Sequence, residues 1–142
     1  MTGMAAAHDR LEQADDLPAL LEAAHRVFVA TLTALRAHED PASVWFGRLV
    51  MAAASAADGR DAVIFAPSMP AHRAHATWST RQGSSAGPAD TVAGDIASLC
   101  GLAAVRLAQA ASQAADPDDQ AACVRAAQCA QGICELLAVG GT

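Results

Sequence analysis

Apolar positions recur along this chain at helical spacing. Leu17, Leu20, Leu21, Ala24, Phe28, Thr31 and Leu35 follow one another at steps of three and four, and Val27, Val29 and Leu32 widen the stripe. Glu22, Arg26, Thr33 and Arg36 are left as a narrow polar face, with Glu22 and Arg26 spaced to pair at i,i+4. Asp15 and Asp16 suit the positive end of a helix dipole and Pro18 suits a first turn, so the pattern predicts a first helix over 16–39.

Asp40–Pro41 combines an N-cap side chain with a residue that fits the first helical position. A second helix is therefore expected over 41–57, with Arg48 as its only charge and Asp58–Gly59 as its stop. A third is expected over 90–115, where Asp95, Ser98, Arg106, Gln109 and Gln113 fall on one line at about 100° per residue. Asp116–Pro117 breaks it. Asp118–Asp119 then opens a fourth over 118–139, with Gly140 just past its end. Short links within the first pair and the last pair imply antiparallel hairpins. The expectation is an all-α antiparallel four-helix bundle forming a single domain across 1–142, with a flexible N-terminal segment at 1–15 and a long loop or lid at 59–89.

Composition strengthens the helical reading. The apolar content of 53% is mostly alanine, with three Phe, two Trp and no Tyr, so the core must be built from closely approaching helices. Lysine, asparagine and tyrosine are absent, which points to a GC-rich bacterial genome. Their absence also removes Schiff-base lysine, tyrosine acid and P-loop lysine chemistry. A net charge of −6 with scattered arginines argues against a nucleic-acid partner.

The opening MTGMAAAHDR lacks a basic leader followed by an apolar run. The weakly polar run 44–57 contains Arg48 and falls short of the about 20 residues a bilayer span requires. A soluble, cytoplasmic protein without a membrane partner is expected. Three of the helices are apolar around most of their circumference, more than a monomeric bundle buries, and this predicts a homodimer.

The cysteines do not form a metal motif. Cys123 and Cys134 point about 20° apart on a helix but are separated along its axis, and Cys129 projects about 120° from each. With no C-x-x-C, they read as small buried hydrophobes. A Cys/His metal-responsive site would need Cys100 and a loop histidine, and remains a lesser alternative. No metal or cofactor is assigned.

The richest chemistry lies in PAHRAHATWSTRQG. His72 and His75 are spaced i,i+3, with Trp78 three further on, and a histidine pair suits general acid–base work. Trp78 in a Gly/Ser/Pro-rich connection calls for an apolar surface to cover, which leaves Arg81 and Arg73 for a ligand. His25 lies at the margin of the first helix's stripe. Arg48 stands alone among apolar residues and needs a partner, for which Asp95 is the candidate. Trp45-x-Gly47 in VWFGRL resembles the turn motif of small secreted helical hairpins of type VII systems. That motif belongs in a turn, however, whereas Asp40–Pro41 starts a helix before it, and no tyrosine supplies the family's C-terminal signal. No family is assigned.

The functional expectation is a cofactor-independent enzyme or small-molecule-binding protein, of the kind found in bacterial specialised metabolism. An apolar pocket between helices would hold a small organic ligand. His72 and His75 would transfer protons in a cyclisation, isomerisation or elimination, and Trp78, Arg81, Arg48, His25 and Asp95 would bind. The alternative is a non-catalytic helical adaptor.

Overall fold

A computed structural model describes residues 3–70 and 89–138. Among the described residues the chain is all-helical, with five helices and no strand. These are α1 (Gly3–Gln13), α2 (Leu17–Ala37), α3 (Phe46–Ile64), α4 (Ala89–Gln113) and α5 (Pro117–Ala138). The expected count of four is thus corrected by α1. Its Ala7 and Leu11, one turn apart, are buried, and that anchors the segment against α2 and α4.

α2 starts where its capping chemistry requires. The Asp16 carboxylate accepts the Ala19 N–H at 2.8 Å, and Pro18 occupies the first turn. One side of the helix, including Leu21, Ala24, Val27, Phe28 and Leu35, is fully buried. α3 departs from the expected 41–57. At its front, the Asp40 carboxylate accepts the Ala42 N–H at 3.0 Å and the Asp40 carbonyl accepts the Ser43 N–H at 2.8 Å, which makes a turn. Ser43 repeats the pattern, its hydroxyl accepting the Trp45 N–H and its carbonyl the Phe46 N–H. Asp–Pro thus opens consecutive turns, and the helix begins only at Phe46.

At the other end, Asp58–Gly59 does not stop α3. A Cβ at Gly59 would lie 2.5 Å from Phe28 Cζ and 2.8 Å from Cδ1, so the glycine is the place where the Phe28 ring rests on the α3 backbone. The helix continues to Ile64, and Gly59 contributes close packing rather than a stop.

α2 packs on α3 and α4, while α5 packs on α3 and, most extensively, on α4; α1 covers α2 and α4. Leu107 and Ile96 of α4, Ile133 of α5 and Val63 of α3 are fully buried with Phe28 and Leu35 in one core. Cys100 and Cys123 are buried with them and Cys129 and Cys134 partly so, all as free thiols. The Asp90–Gln113 stretch of α4 is long and apolar enough to cross a membrane by length and composition, and half of its 18-residue apolar window is buried inside the fold.

Candidate functional site

Two charged side chains fasten the end of the molecule where α1 stops, α4 stops and α5 begins. The first is Arg106, on the last turns of α4. Its guanidinium Nη1 donates to the Leu11 carbonyl at 2.6 Å and to the Glu12 carbonyl at 3.4 Å, and Nη2 donates to the Ala14 carbonyl. The last carbonyls of a helix have no partner within it and form its negative end. Arg106 satisfies those of α1 with a cation. The second is Asp119, in the first turn of α5 and 3% exposed. Its Oδ1 accepts the Ser68 N–H at 2.9 Å and its Oδ2 accepts the Ser68 hydroxyl at 2.6 Å. A buried carboxylate requires such partners, and the positive end of the α5 dipole favours it further.

Between these fasteners lies a cleft of about 610 Å³. Leu17, Leu20 and Ala110 supply apolar wall, and Gln109 and Gln113 line it with amides one turn apart on α4. Asp15, Asp16, Asp116 and Asp119 also line it, against Arg106 as the one cation among the described residues. Asp16 and Asp116 serve as caps, Asp116 accepting the Asp118 N–H at 2.8 Å, while Asp15 is exposed. The carbonyl end of α4 opens onto the same space through Gln113, Ala114 and Ala115, with no basic residue in its last turn. Among the described lining residues the carboxylates outnumber the cations four to one.

Of the residues expected from the sequence, Arg48, Asp95 and His25 are among the described residues. His72, His75, Trp78 and Arg81, with Arg73, lie outside the described residues. Arg48 is exposed near the start of α3, its Cζ 5.9 Å from the Trp45 ring centroid. Asp95 is exposed on α4, and among the described residues no ion pair joins it to Arg48. His25 is buried on α2, and burial, then the charges of Arg60 and Arg26, pushes its pKa below the ordinary value. None of these three lines the cleft.

The cleft residues were partly visible beforehand. Arg106, Gln109 and Gln113 belong to the polar line of α4, and that line is the signal that marks the wall. Nothing in the sequence marks Ser68 as the partner of Asp119.

Two other constellations carry groups with potential chemistry. The Cys100 thiol, 3.8 Å from the Thr31 hydroxyl, is pushed up to about 12 by burial and stays protonated, so it is no nucleophile. His8, Asp9 and Glu12 on α1 bring ligand atoms within 4.8 Å of one another. They face water, and the 3.3 Å His8–Glu12 contact is an ordinary i,i+4 pair. Comparison with protein-family models, curated proteins and solved structures finds no match to this chain.

Proposed function

We propose that this protein binds a small organic cation, an amine with an apolar body, in the cleft between the α1–α2 turn, the end of α4 and the start of α5. The observation that carries this reading is the composition of one concave space. A volume of about 610 Å³ suits a small molecule, and apolar wall stands beside four carboxylates and a helix carbonyl end. Arg106 hydrogen-bonds the Leu11, Glu12 and Ala14 carbonyls, and the four carboxylates outnumber this one cation among the described lining residues. The ammonium group would sit at the rim by Asp15, and the apolar body against Leu17 and Leu20.

The enzymatic part of the proposal rests on the histidine pair. His72 follows the cleft residue Ser68 by four positions, a length of chain that spans at most about 14 Å. Proton transfer to or from the nitrogen of a cleft-bound amine is the chemistry such a pair would add.

Calorimetric titration with alkylammonium ions, matched carboxylates and neutral alcohols tests the binding. Saturable binding is expected from the ammonium series alone. Asp15→Asn, at an exposed position, should weaken it about three- to tenfold, with the effect shrinking as salt rises. Equal binding of carboxylates, or none of any class, would overturn the proposal.

A further inference from the structure

Six large apolar side chains are exposed among the described residues, and four of them belong to α3 or its immediate ends: Val44, Val50, Met51 and Phe65. Val44 is 95% and Phe65 83% exposed. On the helix itself, Gly47, Val50, Met51, Ala54, Asp58 and Asp61 are exposed at steps of three and four and so share one face. The opposite face, Leu49, Ala52, Ala56, Gly59 and Val63, is buried against the core. The outer face therefore has an apolar, small-residue middle with charges toward its two ends.

Those charges differ in sign. Arg48 stands on the flank of this face toward its N-terminal end, about 100° round from Gly47 and over the Trp45 ring. Asp58 and Asp61, the latter paired with Arg60 at 3.2 Å, lie toward the C-terminal end. Neither Arg48 nor Asp58 has an ion-pair partner among the described residues. We infer that this face binds a second copy of the chain, with the two α3 helices antiparallel about a two-fold axis near residue 53 and Arg48 of each copy level with Asp58 of the other.

Parallel pairing would set arginine against arginine and aspartate against aspartate. The antiparallel two-fold removes both repulsions and makes the contact twice, as an isologous interface does. It also centres Val50, Met51 and Ala54 of both copies on the seam, where Gly47 and Ala54 let the helices approach. Val44 of one copy comes within about one helical turn of Phe65 of the other. A lipid surface does not fit this face, because its two aspartates would meet anionic headgroups.

Sedimentation velocity on the full chain over a concentration series is the test, with circular dichroism confirming that each variant keeps its helix content. A dimer of twice 14.4 kDa is expected for the natural sequence. Met51→Glu should leave only monomer. Arg48→Asp and Asp58→Arg should each raise the dissociation constant about tenfold or more, and the double exchange should restore it. A monomer at every concentration overturns the inference. So does a dimer that ignores both charge reversals, since it would use another surface.

Discussion

At Gly59 two helices are held together by shape. The Phe28 ring lies where a side chain would be, and α2 and α3 meet there through a close aromatic contact. At the cleft, α1, α4, α5 and the chain around Ser68 are held by directed bonds: three carbonyls on Arg106 and two Ser68 donors on Asp119. Shape seals a seam but leaves no room. Directed bonds hold backbones apart at fixed positions, and the space between them becomes a cleft. The same chain thus builds a dry core and a polar cavity by two kinds of constraint.

This contrast predicts graded effects. Phe28→Ala removes a fully buried ring resting on Gly59 and should destabilise the fold by about 3–5 kcal/mol, read as a lower urea midpoint. A loss near 1 kcal/mol would show that the seam collapses onto the void and that shape constrains it less than the ring contact implies. Arg106→Met keeps much of the side-chain volume but strands the α1 carbonyls. It should cost about 1–3 kcal/mol and raise hydrogen-exchange rates selectively in α1. Uniform exchange across all helices would place Arg106 in the general core rather than at a local fastener.

The smallest effect is a pH dependence. Burial, with Arg60 and Arg26, holds the His25 pKa below its ordinary 6.5. Above 6.5 the imidazole is neutral in both states and its contribution is fully present. As pH falls through that value the unfolded chain takes up a proton that folded His25 resists, so stability declines until the folded pKa is reached. Denaturation of His25→Gln on both sides of pH 6.5 should show a flatter slope there than the natural sequence. An unchanged slope would assign the pH response to other groups.

Some boundaries were legible because their causes are local. Asp16 with Pro18, and Asp116 with Pro117, cap or start helices through residues three or fewer positions away, and α2 and α5 begin within one residue of expectation. α3 was misplaced at both ends for the opposite reason. Asp40–Pro41 is equally good turn chemistry, and Asp58–Gly59 reads as a stop unless Phe28 is known to cover it. The polar line on α4 marked Arg106 as unusual without revealing its partner, which lies 95 residues away at Leu11.

The sequence by itself therefore determined the helical class, the ends of α2 and α5, and the thiols as core material, since periodicity and capping act within a turn or two. Only the tertiary structure decided where α3 runs, that α1 is needed to complete the core, and that Arg106, Asp119 and Ser68 bound a cleft. Each of those depends on groups dozens of residues apart, brought together when apolar faces leave water and buried polar atoms find partners.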